Sequence, residues 1–453
     1  MNIVVVGAGW AGMAAAVQAA RRGHAVTVFE ATRQLGGRAR GLPLTRPDGR
    51  ALALDNGQHI LIGAYTETLA LMRSVGVPLD QALLDMPLGL PYPDGLGLQT
   101  PEWAARWPAP LDALVAIATA RGWRWSDRIA LMRQSLAWRR EGFACDAKAT
   151  VAQVCVSLPP VVMRDLIEPL CVSALNLPAA QASGAVFLRV LRDALFGQGF
   201  EGRPPAHLLL PRQDLSALFP APAARWLTQQ GHRIVTGTRV TALSPGADGR
   251  GWSLTLASGG EDLEHLADAV IWATGPEVAA DALAPTAPAW SARTAVLQHT
   301  AIATVYAWAP GVRLSHPMLA LRPGPDGPAM SAQFVFDRGQ LKPDDPSLTG
   351  LLAFVVSASP DEREALERAV MAQGASQLGL HQLQPVRTVI ERRATFACTP
   401  GLQRPPAFIA PGLVAAGDYV DGPYPATLEG AVRSGLMALS TLEGASGAPA
   451  GTP

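Results

Sequence analysis

Gly7, Gly9 and Gly12 stand in the spacing G-x-G-x-x-G, and Glu30 follows eighteen residues after the last of them. Those residue types at that spacing hold the pyrophosphate and one ribose of a dinucleotide. Gly7 makes a tight turn, Gly9 lets the backbone approach the phosphates, and Gly12 lets a helix close on a strand. The anion then rests on the N–H groups of a helix N-terminus, where the dipole favours negative charge. Gly36-Gly37-Arg38 adds a second close backbone approach with a guanidinium as counter-ion, which a nicotinamide-binding unit does not require. Proton chemistry has fewer candidates. His59 closes the string Asp55-Asn56-Gly57-Gln58-His59, a polar knot in an apolar setting, and Asp421 and Tyr424 follow Gly417-Asp418 near the other end of the chain. The knot can also be read as a turn with Asn56-Gly57 as a hairpin signal, and His59 as a satisfied buried histidine.

The elements that must position these groups are legible around them. Ile3 to Val6 form a β-branched run before the glycines, an alanine-rich stretch follows, and 25–29 reads as a second strand ending at Glu30. This is a βαβ unit, compatible so far with a nicotinamide or a flavin dinucleotide.

Composition sets the outer bounds. A chain of 453 residues exceeds the size at which one core keeps growing, so two domains are expected, and 49% apolar residues supply ample core. A net charge of zero argues against nucleic acid as a partner. Cys145, Cys155, Cys171 and Cys398 show no metal spacing, so no metal is expected, and they read as reduced thiols of a cytoplasmic protein. Residues 1–20 lack the basic start of a signal peptide, and no other apolar run approaches the roughly 18 residues needed to span a bilayer.

Further along, the pattern predicts an apolar strand over 52–62 interrupted by the polar knot, a helix over 64–76, helical structure over 159–200, a helix over 213–230, and strands over 233–243 and 252–257. The run 269–276 reads as a buried strand able to return to the opening sheet. Strands are expected at 301–308, 331–336 and 351–357, then a helix with Ser359 as N-cap, Pro360 at N1 and Glu362 at N3. Leu413 to Asp418 reads as a strand ending in Gly-Asp, and Thr427 opens the last helix. Segment 103–140 holds five of the eleven tryptophans and seven arginines against Asp112 and Asp127. Indole and guanidinium on amphipathic helices suit a membrane surface; ordinary helical packing with large side chains is the other reading.

Together these pieces resemble the flavin amine oxidase/phytoene desaturase superfamily, on VVVGAGWAGMAAA (4–16) with Glu30, on Gly36-Gly37-Arg38, and on Gly417-Asp418 followed by Pro425 to Ala431. Three longer strings, DNGQHILIGAYTET (55–68), PLCVSALN (169–176) and AAGDYVDGPYPATLEGAVRSG (415–435), resemble its hydroxysqualene dehydroxylase branch. The resemblance implies an α/β fold with α+β insertions. A Rossmann-like FAD-binding domain (1–62, 207–279, 396–445) would carry an inserted substrate domain of mixed sheet and helices (63–206, 280–395). It implies FAD, with Gly7, Gly9 and Gly12 at the pyrophosphate, Glu30 at the adenosine ribose and Arg38 on the phosphate and flavin side. Asp418 would hold the ribityl or diphosphate region, and the helix opening near Thr427 would point at the flavin pyrimidine edge. Gly36, Gly37, Gly57 and Gly417 complete that set. His59, Tyr424 and Asp421 become the candidate acids or orienting groups.

The implied reaction is reductive removal of the hydroxyl of hydroxysqualene, a long-chain isoprenoid, giving squalene and water in hopanoid or triterpenoid biosynthesis. Such a substrate lives in a bilayer, which gives 103–140 the sense of a docking surface at the inner membrane. An oxidative enzyme of the same scaffold, a carotenoid desaturase or an amine or porphyrinogen oxidase, is the first rival. A flavin-free prenyl-binding escort protein is the second. Oligomeric state is not readable.

Overall fold

A computed structural model describes the chain except residues 46–50, 248, 259–260, 325, 361 and 447–453. β1 (Asn2–Val6), α1 (Trp10–Arg21) and β2 (Ala25–Glu30) form the expected βαβ unit, with β1 and β2 parallel and in register from Asn2 opposite Ala25 to Val6 opposite Phe29. Four more strands complete a six-stranded sheet, in the order Arg233–Thr236, β2, β1, Ala269–Trp272, Leu413–Ala415, Phe408–Ala410. All pairings are parallel except the last. The centre of such a sheet is covered on both faces, and Ile3 to Val6 and Ala269–Trp272 are accordingly continuous buried apolar runs.

The Leu428–Ser446 helix packs across α1 so closely that a Cβ on Gly435 would lie 2.3 Å from the Ala11 carbonyl oxygen. The alanine-rich sequence of α1 makes that approach feasible. A second, fully antiparallel sheet of five strands runs Met318–Ala320, Phe334–Asp337, Leu351–Ser357, His299–Trp308, Gln384–Phe396. Every residue of Leu351–Ser357 is buried, and the Arg363–Leu378 helix sets Leu366 and Val370 against Phe354 and Leu352.

Several local expectations need correction. The helix after the fifth decade of the 300s begins at Arg363 with Glu362 as N-cap, not at Ser359. The Ser359 amide donates instead to the Ala301 carbonyl, continuing the strand pairing, and Ala358 before it is left-handed. The 213–230 helix is two, Leu215–Leu218 and Pro220–Gln229, broken where Pro220 cannot continue the ladder. The 233–243 strand is also two, Arg233–Thr236 and Arg239–Pro245, in different sheets, parted at Gly237 with φ +70°. Shortly after Arg38 comes a strand, Gly41–Thr45, which pairs with Ala51–Asp55. Asn56-Gly57 therefore follows the hairpin and is not its turn. The 159–200 helical stretch is interrupted at Asn176, which takes a left-handed conformation (φ 52°) after the Glu168–Leu175 helix. Its buried side chain donates to the Thr300 and Thr395 hydroxyls at 2.9 and 3.0 Å and accepts from the Ala358 amide at 2.7 Å, joining three segments of the second sheet. The end of PLCVSALN is thus a joint.

Candidate functional site

The glycine loop runs from the C-terminal end of β1 into α1. Gly7 has φ +106°, and a Cβ there would meet the Ala273 carbonyl oxygen at 2.8 Å. A Cβ on Gly12 would stand 2.0 Å from the Gly7 carbonyl oxygen, so the helix could not close on the strand. At Gly9 the nearest atom to an added Cβ is the Gly37 Cα at 3.9 Å, which leaves one face of the loop open. Gly9 is also the N-cap of α1 and offers no side-chain cap. A twelve-residue helix with an uncapped N-terminus and a bare backbone cradle fits a diphosphate.

Glu30 ends β2 beside this loop. One carboxylate oxygen accepts from the Ala8 amide, the other from the Thr32 amide and hydroxyl, each at 2.9 Å. These bonds fix its orientation while spare lone pairs remain for ribose hydroxyls.

The second glycine pair faces the first, since Gly36 pairs with Gly9 and the Gly36 amide donates to the Ala8 carbonyl at 2.9 Å. Arg38 leaves this turn, pairs with Asp418 at 2.5 Å, and donates to the Ala394 carbonyl at 3.0 Å. Burial acts against its charge, but Asp418 more than offsets that and holds the guanidinium pKa up. The two ends of the chain thus meet on one ion pair. Gly417 is fixed by the Ser434 hydroxyl at 3.0 Å, and a Cβ there would strike the Tyr419 ring. Thr427 caps the last helix, its hydroxyl accepting from the Gly430 amide at 3.0 Å.

The DNGQH string turns out to be a clamp. The Asn56 side chain accepts from the Arg40 amide and donates to the Arg38 carbonyl, pinning the arginine turn. Gln58 accepts from Arg338 at 2.7 Å, and the same guanidinium lies 3.8 Å from the Asp55 carboxylate. Tyr306 both accepts from the Asp55 amide (3.1 Å) and donates to its carbonyl (2.9 Å). Asp55, Arg338 and Tyr306 are all buried, so this network welds the cofactor side to the five-stranded sheet. Burial pushes the Asp55 carboxyl up to about 7, against the pull of Arg338 and the Leu215 amide.

His59 is half-buried beside Gly57, and its Nδ1 lies 2.7 Å from the Gly57 carbonyl oxygen. A carbonyl only accepts, so Nδ1 carries a proton and Nε2 is the titrating atom. Burial lowers the His59 pKa, partly opposed by that hydrogen bond. Tyr424 is buried and donates to Asp193 at 2.6 Å, with the Arg433 and Arg189 guanidinium groups 5.0 and 5.6 Å from its ring centre. Burial and Asp193 hold the phenol protonated. Asp421 differs: it is exposed, and its amide donates to the Pro405 carbonyl.

Several residues here lay outside the expected set. Arg404, buried, donates to the carbonyls of Asp418 (3.2 Å) and Tyr424 (2.8 Å) and so shapes the carboxy-terminal loop. Glu429, fully buried, accepts from the Glu67 and Thr68 amides and from Arg433, capping the Thr66–Ser74 helix from the other end of the sequence. Its pKa is raised, first by burial. The Glu429 signal was present in LEGAVRS as an apolar helix carrying one acid; nothing local marks Arg404, Arg338 or Asp193.

Residues 10–438 match the family model for flavin containing amine oxidoreductase. A hydroxysqualene dehydroxylase of Rhodopseudomonas palustris is 31% identical over 96% of this chain and 97% of its own length. One of Sinorhizobium fredii is 27% identical over the same shares. A crystal structure of an oxidoreductase from Methanosarcina mazei superposes with a TM-score of 0.70 at 17% identity, covering 97% of this chain and all of that one. The chain belongs to the flavin containing amine oxidoreductase family, and it is an FAD-dependent oxidoreductase of Rossmann-like fold.

Proposed function

We propose that the chain removes the hydroxyl of hydroxysqualene reductively, releasing squalene and water. What supports this reading is the end-to-end similarity to a hydroxysqualene dehydroxylase, 31% over 96% of the chain. Reduced FAD supplies the hydride when bound. Gly7, Gly9 and Gly12 hold its pyrophosphate on the α1 N-terminus, Glu30 binds the adenosine ribose, and Arg38 and Asp418 fix the middle of the molecule from both ends of the chain.

The balance requires one hydride to the allylic carbon and one proton to the departing oxygen. His59 is the proton donor in this reading. Its Nδ1–H stays on the Gly57 carbonyl, so the proton it passes is the one on Nε2. A lowered pKa makes the imidazolium a stronger acid while reducing its population at neutral pH, so turnover rises on the acid side of neutrality. Tyr424, its hydroxyl donated to Asp193, holds its own loop in place and is not the donor in this reading. Asp421, which is exposed, is not assigned the proton transfer in this reading.

The test is anaerobic incubation of the flavin-reduced enzyme with hydroxysqualene, with products read by mass. Squalene is expected. A desaturated product would place the chain with the oxidative enzymes of the scaffold and overturn the reaction. His59→Gln is expected to lower turnover about a hundredfold or more; undiminished squalene formation would remove His59 and leave the reaction standing.

A further inference from the structure

We propose that segment 103–140 forms a docking face for an anionic lipid surface. Its sequence carries indole and arginine, and the structure sorts which of these face outward. Trp123 and Trp138 are buried and serve the core, whereas Trp103 and Trp125 are 62% and 66% exposed, and Trp107 joins Trp103 edge to face with ring centres 5.2 Å apart. The Leu111–Thr119 helix adds Leu111 and Leu114 to the outside while burying Ala113, Ala116 and Ile117.

The Trp125–Arg140 helix is the clearest case. At 100° per residue, Trp125, Ile129, Arg133, Leu136 and Arg140 fall within an arc of about 80°, and all five are exposed. Leu131 and Trp138 lie on the opposite side and are buried. A helix that needs only one apolar face for its core here carries a second, pointing away from the protein and interleaved with arginine. Isolated exposed apolar residues are ordinary, but a stripe of tryptophan, isoleucine and leucine on one helix, with Trp103, Trp107, Leu111 and Leu114 also exposed on the elements before it, is a surface with an apolar partner.

Charge selects that partner. Seven arginines stand against only two acids within 103–140, Asp112, which is buried, and Asp127, which accepts from the Arg124 amide, so the segment is strongly net positive. Arg106, Arg124, Arg133 and Arg140 are exposed, and no ion pair engages them among the described residues; Glu102 and Glu141 stand only at the two ends. A second copy docking face to face would bring arginine against arginine. An anionic bilayer accepts both components, indoles at headgroup depth and guanidinium on phosphate. No helix among the described residues is long and apolar enough to cross a membrane, so this is contact in the interface plane.

This surface stands apart from the reaction proposed above, and isoprenoid-free vesicles test it alone. Flavin-loaded protein is sedimented with vesicles of phosphatidylcholine and with vesicles of equal parts phosphatidylcholine and phosphatidylglycerol. Binding is expected to the anionic vesicles and to weaken with salt. Replacing Trp103, Trp107 and Trp125 together by Ala is expected to lower it by roughly tenfold or more. Arg133→Gln with Arg140→Gln is expected to lower it by roughly thirtyfold while leaving the flavin spectrum unchanged. Equal binding to both vesicle types, wild-type binding by either variant, or no binding by the parent protein would overturn the proposal. So would vesicle-free self-association that the tryptophan variant abolishes, which would give the face to a second copy.

Discussion

Replacing Tyr306 by Phe removes one oxygen atom and two hydrogen bonds while leaving the ring packed. The oxygen is fully buried, accepts the Asp55 N–H at 3.1 Å and donates to the Asp55 carbonyl at 2.9 Å. Asp55 is itself wholly buried, so no water replaces the lost partner. Leaving a buried donor or acceptor unsatisfied costs about 1–3 kcal/mol each, so Tyr306→Phe is expected to destabilise by roughly 2–6 kcal/mol. That is a large share of a typical folding stability of about 5–15 kcal/mol. The cost should also be local, because Asn56, the next residue, holds the Arg38 turn. Chemical unfolding of the flavin-loaded variant measures the first effect, and hydrogen exchange at residues 54–58 with flavin release on dilution measures the second. A variant within about 0.5 kcal/mol of the parent, with unchanged exchange at those amides, would refute the clamp.

Gly12→Ala is expected to abolish flavin retention, since its Cβ would sit 2.0 Å from the Gly7 carbonyl oxygen; a purified variant with full flavin absorbance would contradict this. Asp418→Asn is expected to weaken flavin binding by about tenfold or more, because Arg38 loses its charged partner, and titration of the apoprotein reads it directly. Asp55 carries a pH signature. Its folded pKa of about 7 lies above the unfolded value of about 3.9, so the folded state holds the proton more tightly and stability falls as pH rises between those values. Asp55→Asn should flatten that slope in unfolding curves taken across pH 4 to 7, and an unaltered slope would exclude Asp55 as its source.

The glycine loop proposed to hold the cofactor is legible in the sequence because its determinants are local. Gly7, Gly12 and Glu30 act within one βαβ unit, and each occupies the position its spacing implies. The polar clamp is not legible in the same way. Asp55 and Gln58 find Arg338 some 280 positions away, and Asn56 reads as a turn residue until its partners at Arg38 and Arg40 are seen. Boundaries slipped where tertiary pairing overrode a local signal. Ser359-Pro360 has every mark of a helix start, yet the Ser359 amide is taken by strand pairing with Ala301. Two breaks carried their own signal, Pro220 within a helical pattern and Gly237 within a strand pattern. The tryptophans of 103–140 could not be divided into core and surface from sequence, since residue type alone does not say which side of a helix the domain lies on.

The order of strands in the cofactor sheet dictates when the sheet exists during synthesis. β1 lies between β2, which follows at once, and Ala269–Trp272, which arrives some 266 residues later, and Leu413–Ala415 is added last of all. At about 5–20 residues per second, translation leaves the nascent βαβ unit without its second neighbour for roughly 13 to 53 seconds. Throughout that interval an edge of β1, apolar on both sides, is open to other chains, and the Gly435 face that seats α1 has not been made. Nascent-chain lengths shorter than about 440 residues should therefore depend on chaperones and fail to retain flavin, and the holoenzyme should form in one late, cooperative step.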